Sequence, residues 1–380
     1  MTKHKIIFGV CGIGRGHTSR QLPIISHFLK NSKIVVFAFN ESYNFLKKHF
    51  ANNKNIKVFS VIVPWIHGGE FGIDYKKTAT EKFNEGLNVI SQNFMAMSNA
   101  EIFLSGKADL VISDYEPTAA QYAYSRNIPL IIIDQQSKYF YDGYPDKIDD
   151  LGFLEERSRL GLFFPKANMR IACSFFRPPL NKIGYGDLKI KIVPTIIRDD
   201  IVKLKKSKPR NNNDILVYLS SYSKFVQTSS EVISILSKFK NHNFYLFISK
   251  KSDFASISER VPDNIKIYFQ GDKIYLKILT SASAAICTAG HMFISEMMFL
   301  NKPVYAVPLQ TYEQKYNAKI INDNEFGIRR NNIKLDSLKY FLSNINAFKD
   351  NIVSDKKVLL SRESGTTEII ALINKQLKIK

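Results

Sequence analysis

Residues 285–318, AICTAGHMFISEMMFLNKPVYAVPLQTYEQKYNA, place Gly290, His291, Glu296, Glu313 and Gln314 around the ends of two apolar runs. The first run stops at Thr288-Ala289-Gly290-His291, where a helix begins at once. The free amides and dipole of such a helix start make an anion site at Gly290 and His291. Glu296 falls about one and a half turns further along. A carboxylate there can accept two hydrogen bonds from a ribose diol while a diphosphate sits at the helix end. The second run ends in a proline loop over the same edge, where Glu313 and Gln314 can bind sugar hydroxyls and Asn317 can fix the loop.

Four other strand ends carry polar groups of the same kind. In VCGIGRGHTSR, Gly12, Gly14 and Gly16 precede a helix opening near His17. Glycine lets a backbone approach a ligand closely, so Gly14 and Gly16 are candidate phosphate-loop positions. His17 reads as a general base, a donor to phosphate, or a plain cap at the helix start. The spacing departs from the dinucleotide fingerprint, and the second strand ends in Phe39-Asn40 with no acid, which disfavours NAD. In LVISDYEP, Asp114 and Glu116 can orient a histidine or bind hydroxyls, or can simply cap the helix after Pro117. Asp134, Gln135 and Gln136 end a further strand, with a capping explanation available. Ser220 and Ser221, in LVYLSSYS, can donate to a phosphate.

The elements that must hold these residues alternate along the chain. Short β-branched runs at 5–11, 33–39, 56–62, 110–113, 129–134, 169–175 and 190–197 alternate with helical patterns at 17–30, 41–50, 78–105 and 117–126, with 137–167 mixed. The basic, proline- and asparagine-bearing stretch DDIVKLKKSKPRNNND then reads as a linker. Strands at 214–220, 243–249, 265–270, 283–288 and 303–308 follow, with helices at 227–240, 272–281, 291–300, 312–323, 334–345 and 364–377. The expected fold class is α/β, two doubly wound Rossmann-like domains facing across a cleft. The domains are expected at 1–198 and 214–380, linked by 199–213, the last helix packing back on the first domain. In such sheets ligands sit outside the carboxyl ends of the strands.

Composition narrows the setting. The chain has 380 residues, too many for one core, and a net charge of +20. That balance favours anionic partners such as nucleotide phosphates or acidic lipid; a solvated lysine face is the plainer reading. No apolar run reaches the roughly 18–20 residues that span a bilayer. Cys11, Cys173 and Cys287 are scattered and suit reduced, buried thiols. The expected location is cytoplasmic, with peripheral contact at the inner membrane face.

Taken together, AGHMFISEMMFLNKPVYAVPLQTYEQKYNA resembles the donor-binding segment of nucleotide-sugar glycosyltransferases of the GT-B fold, nearest to the MurG-like family and the family 28-related superfamily. GIGRGHTSR resembles that family's glycine-rich loop with its histidine, and SDYEP and IDQQS its later strand ends. The serine pair 220–221 departs from the glycine-rich loop of closer relatives, and Glu313 stands where many have another amide or an aspartate. The resemblance implies a UDP-sugar donor as co-substrate, no cofactor, no metal, no nucleic acid, and inversion at the anomeric carbon. Glu296 would hold ribose, Gly290 and His291 the diphosphate, Glu313 and Gln314 the donor sugar. His17 would activate a hydroxyl acceptor, one expected to be lipid-linked, with Asp114 or Glu116 as orienter or substitute. Pro64-Trp65-Ile66 and Tyr139-Phe140-Tyr141 are candidate membrane-docking aromatics, with interdomain packing as the alternative. The alternatives are a UDP-sugar hydrolase or 2-epimerase on the same fold, and a non-enzymatic basic polyanion or membrane binder.

Overall fold

A computed structural model describes residues 4–63, 68–69, 72–73, 86–140, 151–179, 190–205, 213–219, 227–248, 261–309 and 311–378. Two all-parallel sheets organise them. The first contains β1 (His4–Val10), β2 (Ser32–Ala38), β3 (Ile56–Ser60), β6 (Leu110–Asp114), β7 (Leu130–Asp134), β8 (Met169–Ser174) and β9 (Ile190–Pro194). Their order is β3-β2-β1-β6-β7-β8-β9. A short antiparallel ribbon, β4 (Gly68–Gly69) with β5 (Gly72–Ile73), lies apart from it. The second sheet runs β12-β11-β10-β13-β14-β15, built from β10 (Asp214–Tyr218), β11 (Asn243–Ile248), β12 (Ile265–Phe269), β13 (Ala284–Cys287), β14 (Val304–Ala306) and β15 (Gly327–Arg329).

Burial on both faces explains the β-branched runs. Along β1, Ile6, Phe8 and Val10 enter one apolar cluster while Ile7 and, just beyond the strand, Cys11 enter the opposite one. That is the period of two expected of a strand covered by helices on both sides. All three cysteines are free and buried.

The strand order reverses direction between β1 and β6, and again between β10 and β13. Crevices open at such switch points, at the carboxyl ends of the flanking strands. The described ends of these strands carry Gly12 to His17 after β1, Asp114 at the close of β6, and Gly290-His291 after β13. Topology alone therefore converges most of the polar residues singled out above.

Several boundaries differ from the sequence reading. The strand expected over 190–197 stops at Pro194, and α6 (Asp199–Lys205) occupies the start of the expected linker. Asp199 and Asp200 in its first turn and Lys203 and Lys205 in its last complement the helix dipole. The helix expected over 334–345 is α11 (Leu335–Ser343), and a further helix that was not expected, α12 (Ile345–Ser354), follows it. The last helix, α13 (Thr366–Leu377), returns to the first sheet. Its Ile369, Leu372 and Ile373 join the cluster of Ile6, Phe8 and Val10, each burial contributing about 1.5–3 kcal/mol.

Candidate active site

The site is assembled from the first turns of α1 (Gly16–Phe28), which follows β1, and α9 (His291–Phe299), which follows β13. Neither helix start has a side-chain cap. They meet across the domain seam: a Cβ on Gly16 would lie 3.2 Å from Met292 Cγ. Two positive helix ends facing each other favour an anion between them.

The loop into α1 is fixed by close backbone contact. A Cβ on Gly12 would fall 2.0 Å from the Phe39 carbonyl oxygen, so only glycine fits without moving β2. Gly12→Ala is expected to cost about 3 kcal/mol, read as a lower urea midpoint with an unchanged slope. Gly14 has φ of +68° and faces open space.

His17 lies at the second position of α1. Its Nδ1 is 2.8 Å from Asp114 Oδ1, the last residue of β6. Arg20, one turn along the same helix face, donates from Nε to Asp114 Oδ2 at 2.9 Å and from a terminal nitrogen to Oδ1 at 2.6 Å. Gln21 Nε2 adds a fourth contact at 3.1 Å. Asp114 is fully buried; burial alone would raise it, but Arg20 and His17 hold it at about 2. Burial also works against charge on His17, yet the Cys11 sulfur and the Asp114 carboxylate outweigh it and carry the ring up to about 10. With Nδ1 bound to the carboxylate, Nε2 is the nitrogen left for chemistry. Tyr115, next in the chain, adopts φ of +56° and its ring stacks on His17 at 6.3 Å. The left-handed turn costs about 1–2 kcal/mol. It sends Asp114 toward α1 and Glu116 the other way.

Glu116 is thereby taken out of the chemistry. It caps α4 (Pro117–Arg126), accepting from the amides of Thr118 at 2.8 Å and Ala119 at 2.7 Å. Each oxygen accepts from one amide of the helix it precedes, so the capping alternative is the one its geometry supports. Burial raises it to about 7, opposed by those amides. Glu116→Ala should cost about 2 kcal/mol of stability with the turnover of the folded protein unchanged, checked by urea titration alongside an activity assay.

On the second domain, Glu296 is 6% exposed. Burial raises it to about 7; Arg198 and the Tyr275 hydroxyl act to lower it, Asp200 to raise it. Its surroundings are therefore polar groups of α8 (Tyr275–Ser281) and of the crossing into α6. His291 opens α9. Its ring is 3% exposed, lies 5.6 Å from Phe175, and both ring nitrogens lack a partner. Burial, with Lys138 and Arg20 nearby, pushes it well below the usual histidine range, so it is neutral. What His291 offers at the helix start is its backbone amide, which donates to Glu313 Oε1 at 3.3 Å.

The proline loop leads to α10 (Tyr312–Asp323). Glu313 Oε1 accepts from the His291 amide at 3.3 Å, and Oε2 accepts from Gln135 Nε2 of the first domain at 2.7 Å. Gln314 turns back, its Oε1 accepting from the Leu309 amide at 2.9 Å. Asn317 fixes the loop by donating to the Ala289 carbonyl at 3.0 Å. Lys302, in the Lys-Pro of the motif, donates to the carbonyls of Leu279 and Thr280 at the end of α8. Asp134 accepts from the Ser137 amide at 2.8 Å, again a capping role. Ser220, Ser221, Pro64-Trp65-Ile66 and Tyr141 lie outside the described residues. Tyr139 and Phe140 are buried, and Tyr139 packs against Tyr312 at 5.4 Å; they close the domain seam and are unavailable to a membrane.

Arg20, Gln21 and Lys138 were not anticipated, and Gln135 was singled out only as a strand-end residue with a capping explanation. Arg20 carried a readable signal, its i+3 spacing from His17. Gln135 and Lys138 carried none beyond their place at a strand end.

A sequence model described as glycosyl transferase family 1 matches residues 4–346. The chain belongs to that family. Solved glycosyltransferases share its fold of two Rossmann-like domains. A UDP-glucose:anthocyanidin 3-O-glucosyltransferase in complex with UDP is similar at 15% identity, with a TM-score of 0.70 over 100% of both chains. MurG of Acinetobacter baumannii is 15% identical, TM-score 0.60, over 98% of this chain and 100% of its own. The kitacinnamycin glycotransferase is 14% identical, TM-score 0.68, over 98% and 99%. No curated protein matches the chain. The protein is thus a GT-B glycosyltransferase.

Proposed function

We propose that this glycosyltransferase moves a sugar from a UDP-sugar to a hydroxyl acceptor, with inversion and without a metal. The His17–Asp114 contact at 2.8 Å beside two uncapped helix starts carries this reading. His17 Nε2 takes the acceptor's proton as its oxygen bonds to the anomeric carbon. The bond from that carbon to the β-phosphate oxygen breaks, and UDP departs with the electron pair. Attack from the side opposite the leaving group inverts the centre. The amides of α9 and the positive end of α1 stabilise the departing diphosphate without reorganising. Glu296 grips the ribose, and Glu313 the transferred sugar. Neighbours described as complexes with UDP, UDP-2fluoro-glucose and UDP-L-rhamnose favour uridine as the base.

A thermal-shift screen over UDP-, GDP- and dTDP-sugars tests the donor, because a ligand of the native state raises its midpoint. The UDP series should shift most; a larger GDP or dTDP shift overturns the assignment. UDP release that needs no acceptor would indicate hydrolysis, and an isomerised sugar epimerisation. EDTA should leave the rate unchanged.

A lipid-linked acceptor at an anionic membrane surface is part of this proposal. In α3 (Gly86–Leu104), Ile90, Phe94 and Ile102 fall on one stripe and are 69%, 63% and 76% exposed. With a net charge of +20, that face suits acidic lipid. No helix among the described residues is long and apolar enough to cross a membrane. Liposome sedimentation should rise with anionic lipid content; equal binding to neutral vesicles counts against it.

A further inference from the structure

We propose that Gln135 and Lys138 of the first domain are positioning residues for Glu313 of the second, joined through one amide so that the carboxylate is set for the transferred sugar only when the domains are closed. The inference rests on Glu313 contacting the donor sugar, as above. Three contacts form a continuous line across the seam. Lys138 Nζ donates to Gln135 Oε1 at 2.9 Å, Gln135 Nε2 donates to Glu313 Oε2 at 2.7 Å, and the His291 amide donates to Glu313 Oε1 at 3.3 Å. The amide's orientation is fixed by its neighbours: an ammonium requires its oxygen, a carboxylate its nitrogen.

Lys138 has no exposed surface. A buried ammonium costs several kcal/mol unless compensated. Its direct partners are a neutral amide and the ring faces of Tyr139 and Phe176, at 5.6 and 5.3 Å. Glu313 is the carboxylate acting most strongly on it, ahead of Asp134, while burial pushes it down to about 7. Among the described residues no carboxylate bonds it directly, so its burial is a net cost that stability does not account for. Positioning does. One lobe of each Glu313 oxygen is taken, one by Gln135 and one by the helix amide. A carboxylate has about four such lobes, leaving one on each oxygen, directed to a neighbouring pair of sugar hydroxyls.

The test measures the affinity of UDP and of UDP-glucose, by calorimetry, for wild type, Gln135→Met, Lys138→Met, Glu313→Ala and the Gln135→Met/Glu313→Ala double variant. UDP, which has no sugar, should bind all five within about twofold, which also shows that each folds. UDP-glucose should weaken about tenfold in each single variant, and the double should be no worse than Glu313→Ala alone. Gln135→Glu should weaken UDP-glucose further by repelling Glu313, and adding Glu313→Gln should restore at least threefold by re-forming the hydrogen bond. Equal losses for UDP and UDP-glucose, additive losses in the double, or no recovery in the exchange would overturn the proposal. So would a wild type that binds UDP-glucose no better than its variants do. A wild type that binds neither ligand would instead sink the donor assignment.

Discussion

His17→Ala should lower kcat by about 10²–10⁴-fold, the usual weight of a positioned general base, while the KM for donor changes little. The geometry also fixes the pH dependence. Asp114 holds the ring above an ordinary histidine, so at low pH Nε2 carries a proton and cannot accept another. The rate should therefore climb with pH through the whole neutral range toward a midpoint at about 10, and His17→Ala should abolish that limb. A wild-type profile flat from pH 6 to 9 would remove His17 from this role. Asp114→Asn is a poorer probe. It leaves Arg20, 2% exposed, without its counter-charge, which costs about 3–5 kcal/mol and would lower the melting midpoint together with activity.

Glu296→Ala should weaken donor binding about a hundredfold, since each hydrogen bond to a charged group is worth about 1.5–3 kcal/mol. Stability should hold or rise, because the variant removes a buried carboxylate that burial raises to about 7. That separation distinguishes a ribose ligand from a core residue. The sign with pH follows. A diol donates to the ionised carboxylate and favours it, so binding must first deprotonate Glu296 wherever the free protein holds it neutral. Donor affinity should tighten tenfold per unit as pH rises toward about 7, then level off. Calorimetry in buffers of different ionisation enthalpy should show proton release below that point. Unchanged affinity in Glu296→Ala would withdraw the assignment.

Much of this was legible before the structure. Runs such as LVIS and SAAICT are apolar on both faces, which only a covered parallel sheet accommodates, and parallel sheets place their loops predictably. Hence His17, Asp114, Gly290 and Glu296 could be named from strand ends alone. Glu116 could not be decided, because cap and catalyst look alike until the left-handed Tyr115 shows which way each carboxylate turns. β15 is only three residues long, too short for a periodicity to register. α12 was missed because it follows α11 across the single residue Asn344, with no turn signal between them to announce a second helix. Gln135 and Glu313 are separated by 178 positions; nothing local couples them, and only the docking of the two domains does.

The return of α13 to the first sheet means that the polypeptide passes between the domains twice. Those passages are stitched together: the Gly365 amide donates to the Thr195 carbonyl at 3.1 Å, and the Ile197 amide to Ser364 Oγ at 2.9 Å. A single tether would let one lobe swivel and slide freely. A doubled, cross-linked one resists torsion more than a single strand would.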